Sequence, residues 1–553
     1  MARQTSLIRW FAALVLIAAI LLLVLALDGK SVTYDEVAHL PAGYSYLTVG
    51  VISLNLQHPP LIKEICAVPL LFLNLSAKVD HTVLENPGLE QSFEWTFGRE
   101  FLFSQDAYRL LFWGRMPAIL MYGALAALVM FWAARLWGPP AGLLALIVCA
   151  FNPTLSAHGM LITTDVGVAL FSTLFLFWLR RYLQSRARRH LILSGFVLGL
   201  ALGSKFSAIV LLPIAYLLVL LAVWKGGPAD RGQNQSKVRS TKTLGKPRPE
   251  RQRKFEDYFR PALSSTRSFL AMLGVALLTV WLIYLFSDPS LYWQGIRSIN
   301  KDHDPNYPYF LLGELKSGGW WYYLPAAWLV KTPLPELVLL GLTCIAFLRG
   351  RRAAWLDEAF LFLPAAAYFL LYSMTADNVG VRYLIPCLPF VYISMGRVVH
   401  AIIRWKTAWL ATLAVLLAWH VAEYAAVYPD QLSYFNQIAG GTEKGTEWLD
   451  DSNVDWGQSL IQLKEYLERN SISDFWLCYF GTADPAYYGV RGKNISRIAD
   501  IAEPPQGTMI LSGHCLARAK ALLNQLYGQG PKNWLARTEP TAVVGHAYYV
   551  FRR

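Results

Sequence analysis

Six short stretches of the chain carry side chains suited to chemistry. Thr33-Tyr34-Asp35-Glu36 sets two carboxylates side by side just after the first apolar segment. Gln57-His58-Pro59-Pro60-Leu61-Ile62-Lys63 adds an imidazole and an ammonium group on a second short piece. Asp165 follows Thr163-Thr164, Lys205 follows Gly203-Ser204, Lys331 precedes Thr332-Pro333, and Arg382-Tyr383 opens Arg382-Tyr383-Leu384-Ile385-Pro386. Each of these four stands at the end of an apolar run, where a charge bears a desolvation cost and asks for a reason. Cations at that depth would bind a phosphate, and a carboxylate would take the proton from a hydroxyl acceptor.

Every one of these groups also has a plainer reading. Asp35 and Glu36 suit the first turn of a helix, and Thr33 with Glu36 fits a capping box. Asp165 suits an N-cap or first turn. Lys205 and Lys331 could snorkel to headgroups, Arg382 with Tyr383 could mark an interface, and His58 could be a surface or capping histidine.

The elements that must position these residues are membrane spans. Hydrophobic residues make up 55% of the 553 and charged residues 16%, which excludes an ordinary soluble globule. With the N-terminus cytoplasmic, eleven spans are expected, at 9–27, 112–134, 141–158, 163–180, 190–205, 206–224, 266–286, 334–348, 356–374, 384–400 and 407–427. The first reads as a retained anchor, being longer than a signal-peptide core. The fifth and sixth form one stretch broken at Gly203-Ser204-Lys205, read as a hairpin turning at the outer surface. The net charge of +13 gathers in loops on one side: Arg180 to Arg189, 225–262, Arg349 to Arg352, and Arg404 with Lys406. That is the positive-inside pattern of cytoplasmic loops. The basic loop 225–262 lacks aromatic interleaving, so no nucleic-acid partner is expected, and its composition predicts disorder.

Two external regions, 28–110 and 287–333, exceed simple connectors. In the first, 37–49 and 61–75 are too short to span and are expected as interfacial helices. From 428 to 553 the composition predicts a small soluble α/β domain, with helices at 458–469 and 516–527 and strands at 475–480, 508–511 and 547–551. The fold class expected is therefore an α-helical polytopic membrane domain, 1–427, plus that tail. Cys478 and Cys515 could pair in an oxidising compartment, a matter sequence alone does not decide.

Taken together, Tyr34-Asp35-Glu36, His39, Gly43-Tyr44, His58-Pro59-Pro60-Leu61, Lys63, Thr163-Thr164-Asp165 and Arg382-Tyr383-Leu384-Ile385-Pro386 resemble the GT-C glycosyltransferases. The resemblance is to the superfamily of protein O-mannosyltransferases and aminoarabinose (lipid A) transferases. Gly319-Trp320-Trp321-Tyr322-Tyr323-Leu324-Pro325 and Lys331-Thr332-Pro333-Leu334-Pro335 are similar to its bacterial branch. Tyr434-Phe435-Asn436 and Asp451-Ser452-Asn453-Val454-Asp455-Trp456-Gly457-Gln458 resemble the C-terminal part of some bacterial members. That last stretch could touch the acceptor or be a tight turn that needs Asn, Asp and Gly.

The resemblance implies an inverting transferase that moves a hexosyl or pentosyl group from a polyprenyl-phosphate carrier. The acceptor would be a hydroxyl of a protein, lipid or glycan, on the periplasmic face of the inner membrane, with the tail periplasmic. Asp35 matches the family's catalytic carboxylate, Glu36 its acidic neighbour and Asp165 a second acidic position. His58 departs from the aminoarabinose transferases, which carry Lys there, and agrees with the mannosyltransferases. Lys205 and Arg382 are expected to neutralise the departing phosphate, with His58, Lys63, Lys331 and Tyr383 assisting in substrate binding. No cofactor is required by that reaction. Asp35, Glu36, His58 and Asp165 could ligate a divalent metal, although their spacing matches no standard motif. A lipid or solute transporter with a charged outer vestibule is the alternative, for which matching inverted repeats are missing from the sequence.

Overall fold

The computed structural model describes residues 2–75, 93–225, 260–302, 304, 306–349, 355–402, 407–528 and 530–552. Most of the basic loop expected to be disordered lies outside the described residues. Among those described, seven helices are long and apolar enough to cross a membrane: Ser6–Ala26, Ala107–Trp137, Thr164–Ser185, Phe206–Trp224, Ala262–Ile283, Trp355–Thr375 and Trp409–Val427. Two bent pairs add to them, Pro139–Ala150 with Pro153–Gly159 and Tyr323–Lys331 with Leu334–Arg349, at 69° and 111°. Arg188–Ser204 and Leu388–Ile402 are shorter, at 17 and 15 residues. Helices thus stand at all eleven expected positions. Of these, seven, or nine with the bent pairs, have the length and apolarity of a span among the described residues, and the protein is a multi-pass membrane protein.

The bends have local causes. Asn152 leaves the helical region and its side chain accepts from Leu155 N–H at 2.8 Å, with Pro153 in the first turn of the next helix. The second bend falls at Thr332-Pro333, where proline removes a backbone donor. The chain also breaks at Lys205, as expected, but the flanking helices do not form a hairpin of neighbours. Arg188–Ser204 packs mainly against Thr164–Ser185 and Arg260–Ile283, whereas Leu211–Lys225 packs about equally against Trp355–Thr375 and Arg260–Ile283.

The described part of the segment 28–110 forms a roof over one end of the bundle. Its helices Glu36–Val49, Leu61–Ala67 and Phe93–Phe103 pack on one another and on Ala107–Trp137. A Cβ on Gly43 would stand 2.1 Å from Lys63 O, so only glycine lets the first two helices approach this closely. Both are largely buried against the rest of the protein. Apolar exposure is confined to the end of the second piece, at Val68, Leu71 and Phe72.

The tail holds a five-stranded sheet in the order β4-β3-β5-β7-β6, with β3 Phe475–Cys478, β4 Lys493–Asn494, β5 Thr508–Ser512, β6 Ala542–Val544 and β7 Tyr548–Arg552. The β3–β4 and β3–β5 pairings are parallel, and the β5–β7 and β6–β7 pairings are antiparallel. The three expected strands are β3, β5 and β7. The edge strands β4 and β6 are too short to leave a periodic signal. A hairpin of β1 Pro308–Leu311 and β2 Glu314–Ser317 lies in the second external region. Helix Gly513–Tyr527 covers one sheet face over a separate small core, and Cys478 and Cys515 are joined there by a disulfide. The other side of the tail shares one apolar core with the membrane helices, through residues such as Trp456, Leu460 and Tyr488.

Candidate active site

Asp35 stands immediately before helix Glu36–Val49, yet its side chain caps nothing. Its carboxylate turns outward and accepts from Arg382 Nη1 at 2.7 Å. Arg382 lies in a short 3-10 segment, Val381–Cys387, that leads into the tenth span. Asp35 also lines a cavity of about 340 Å³ together with His39, Asn55, Gln57, His58, Glu94 and Trp95.

A second ion pair lies alongside. Asp165 is in the first turn of Thr164–Ser185, and Lys205 ends Arg188–Ser204, so two antiparallel spans bring them to 2.6 Å. Tyr383 sits between the pairs, with Lys205 Nζ 5.0 Å and the Arg382 guanidinium carbon 5.6 Å from its ring centre. The structure thus gathers Asp35, His58, Asp165, Lys205, Arg382 and Tyr383 in one region, from parts of the chain that are distant in sequence.

Two buried donor positions there lack partners. Arg382 Nε and His58 Nδ1 form no hydrogen bond with any described residue. Of the two, His58 lines the cavity and Arg382 reaches it through Asp35. His58 stacks edge-on against His39 at 5.3 Å, and His39 Nδ1 is 2.8 Å from Ile162 O. Burial drives the pKa of His58 well below the ordinary histidine value, and nearby His39 and Lys205 add to the shift. Both imidazoles are therefore neutral hydrogen-bonding groups near neutral pH.

Three expected site residues are placed elsewhere. Glu36 is fully buried and faces away from the cavity, against Arg115, with Nε to Oε1 at 2.8 Å and Nη2 to Oε2 at 2.6 Å. The amides of Thr33 and Ile162 donate to the same carboxylate at 2.9 and 3.0 Å. Burial raises its pKa, but Arg115 and the amides outweigh that and hold it below the ordinary carboxylate value. Glu36 completes the capping-box half that reaches back to Thr33, and with all its lone pairs engaged it has none to offer a substrate. Breaking so buried a pair costs about 3–5 kcal/mol.

Lys63 is likewise enclosed. Its ammonium donates to Asn55 O at 2.7 Å, His58 O at 2.8 Å and Tyr46 Oη at 3.1 Å, which fixes the loop 55–58. Burial lowers its pKa to about 7. Lys331 donates to Leu432 O at 2.7 Å and Asn453 O at 2.6 Å, and its ammonium stands 4.4 Å from the Phe435 ring. Both lysines hold backbone carbonyls, so they shape the site and do not face a phosphate.

Sequence reasoning passed over several groups here. Asn55, Glu94 and Trp95 line the cavity, as does Gln57, which the sequence offered only as the start of the His58 stretch; all four lie outside the pieces 37–49 and 61–75, and no pattern singled them out. The tail stretch 450–458 also reaches the site, laying the Trp456 ring 4.3 Å from the Arg382 guanidinium carbon. As for a metal, no group of three or more His, Cys, Asp or Glu side chains among the described residues is arranged to hold one.

Residues 109–227 match the family described as dolichyl-phosphate-mannose-protein mannosyltransferase. No curated protein matches the chain by sequence. The chain is similar to the crystal structure of ArnT from Cupriavidus metallidurans in the apo state, with TM-score 0.50 and 11% identity, over 98% of this chain and 97% of that one. It is also similar to that protein bound to undecaprenyl phosphate, with TM-score 0.45, 11% identity and the same coverage of 98% and 97%. The apo oligosaccharyltransferase of Archaeoglobus fulgidus matches with TM-score 0.42 and 12% identity, over 96% of this chain and 73% of that one. At such identities the likeness to ArnT is one of fold, and it extends over nearly the whole length of both chains. The chain thus shares the fold of ArnT, and within it residues 109–227 match the mannosyltransferase family.

Proposed function

We propose that this protein is an inverting glycosyltransferase that moves a sugar from a polyprenyl-phosphate carrier to a hydroxyl acceptor on the periplasmic face of the inner membrane. The observation that carries the reading is the 2.7 Å pair of Asp35 with Arg382: Asp35 lines the cavity with His58, and Arg382 shares the Tyr383 ring with the Lys205–Asp165 pair. The family matched by 109–227 is described by a dolichyl-phosphate sugar donor, in keeping with a lipid-phosphate leaving group.

In this reading Asp35 accepts the proton of the acceptor hydroxyl as the acceptor oxygen bonds to the anomeric carbon. The bond from that carbon to the phosphate oxygen breaks on the opposite face, and its electron pair leaves with the polyprenyl phosphate. Arg382 retains donors beyond the one given to Asp35, so it can hold phosphate and carboxylate together. Lys205 supplies a second charge, held in place by Asp165 and by the face of Tyr383. His58, being neutral, offers a hydrogen bond and no charge. A weak base suffices if the sugar–phosphate bond is largely broken before the proton moves.

The side of the membrane is supported by two features. The basic loops lie at the bundle end opposite this cluster in the expected topology. The Cys478–Cys515 disulfide suits an oxidising compartment for the tail. The test is mass spectrometry of lipid extracts and envelope proteins from cells expressing wild type or Asp35→Asn at equal membrane abundance. Loss of one glycosylated product, with build-up of a polyprenyl-phosphate sugar, is expected. Identical profiles in a host that holds donor and acceptor would sink the proposal.

A further inference from the structure

The tail does more than cap the bundle, because one stretch of it holds both halves of the Asp35–Arg382 pair. Trp456 O accepts from the amide of Tyr34, the residue before Asp35, at 3.0 Å. The Trp456 ring lies over Arg382 at 4.3 Å and meets His158 edge-on at 5.8 Å. On the Arg382 side, Asn453 Oδ1 accepts from the amide of Val381, the residue before Arg382, at 2.9 Å. Asn453 Nδ2 donates to Tyr323 Oη at 2.9 Å, and Ser452 Oγ donates to Val379 O at 2.8 Å.

The stretch is built to sit still. Gly457 has φ +86°, and a Cβ there would come within 2.6 Å of Tyr479 Oη, so only glycine fits. Asp451 takes φ +53°, a conformation uncommon for residues other than glycine. Ser31 closes the far end, its amide donating to Gln458 O at 3.0 Å and its hydroxyl to Gly457 O at 2.7 Å. Trp456 is 2% exposed, so its indole has no role at the outer surface of the tail.

We propose that Trp456 is a positioning residue for the transfer reaction, fixing the Arg382 guanidinium against Asp35, so that residues 450–458 of the tail complete the active site. The proposal rests on the transferase reading above for its catalytic consequence. A planar guanidinium on an aromatic face keeps one orientation, with its edge donors free for carboxylate and phosphate. Without the indole, Arg382 keeps its charge but gains freedom to swing away from the departing phosphate.

The experiment has two arms on full-length protein in detergent. In the first, Trp456→Leu, Arg382→Gln and the double variant enter a thermal-unfolding cycle. Contact between ring and guanidinium makes the two Tm losses less than additive. In the second, transfer from a polyprenyl-phosphate sugar is followed for Trp456→Leu and Trp456→Phe. The Leu variant is expected to lose about 100-fold in kcat with little change in donor KM, as misplacement near 1 Å does. Phe, which restores an aromatic face, recovers most of that loss. Additive Tm losses, wild-type kcat in the Leu variant, or equal impairment of Leu and Phe would each overturn the assignment. Wild-type protein inert to every such donor would sink the transferase reading instead, and the thermal cycle would still decide the contact.

Discussion

Arg382 and Asp35 are 347 positions apart in the chain and meet at 2.7 Å. The carboxylate comes from the roof built by 28–110, and the guanidinium from the 3-10 segment that leads into helix Leu388–Ile402. Neither is fixed by its own element. The pair joins roof and bundle directly, and the Trp456 ring of the tail lies against its guanidinium.

The first prediction follows from the geometry of that pair. Arg382→Lys keeps a positive charge but loses the planar fork that can hold carboxylate and phosphate at once. Turnover is expected to fall by about 10- to 100-fold, an intermediate loss. Asp35→Asn, which removes the proposed base, is expected to cost about 10²- to 10⁴-fold. Steady-state transfer of a radiolabelled sugar from a polyprenyl-phosphate donor separates the two. A fully active Arg382→Lys enzyme would show that charge alone suffices.

Glu36 differs from its neighbour in kind. Its carboxylate is closed off by Arg115, Thr33 and Ile162, so Glu36→Ala leaves a buried guanidinium uncompensated. The expected cost is about 3–5 kcal/mol of stability. Size-exclusion profiles and thermal unfolding of the purified variant would register it. Activity per folded molecule should fall far less than in Asp35→Asn, and an equally inactive but fully stable Glu36→Ala would reverse the assignment.

How much of this could be read beforehand depends on what each residue pairs with. The order of spans was legible because apolar length is a local property, and the Tyr-Asp-Glu stretch drew attention through its density of charge. Asp35 and Glu36 could not be told apart, since one peptide bond separates them and their difference lies in partners 347 and 79 positions away. Lys63, Lys205 and Lys331 look alike at the ends of apolar segments. Only the folded chain shows that Lys205 faces a carboxylate while the other two hold backbone carbonyls. Asp450 to Gln458 read equally well as a turn or an acceptor contact, because its Trp gains meaning only from the Arg it covers.

The tail should respond to pH through Asp455. Burial raises this carboxyl to about 6, even though the amide of Gly457 donates to it at 3.0 Å and opposes the shift. A raised carboxyl favours the folded state while protonated. The associated stability is full below the unfolded value near 4 and is lost as pH rises through about 6. Thermal unfolding of wild type between pH 4 and 7 should therefore show a decline that Asp455→Asn lacks. Parallel curves for the two proteins would refute the assignment.

Lys331 supplies the last test, because it ties the tail to the bundle from the membrane side. Its ammonium joins Leu432 O and Asn453 O, two carbonyls that bracket the start of the tail and the stretch reaching Arg382. In Lys331→Met both carbonyls stay buried without that donor, at about 1–3 kcal/mol each. The membrane spans make few of these contacts, so the loss should fall on docking of the tail. Limited proteolysis is expected to cut the variant near 440–450 much faster than wild type, while the spans remain intact. Turnover should drop together with docking, and a variant cleaved no faster than wild type yet inactive would instead return Lys331 to the phosphate-binding role.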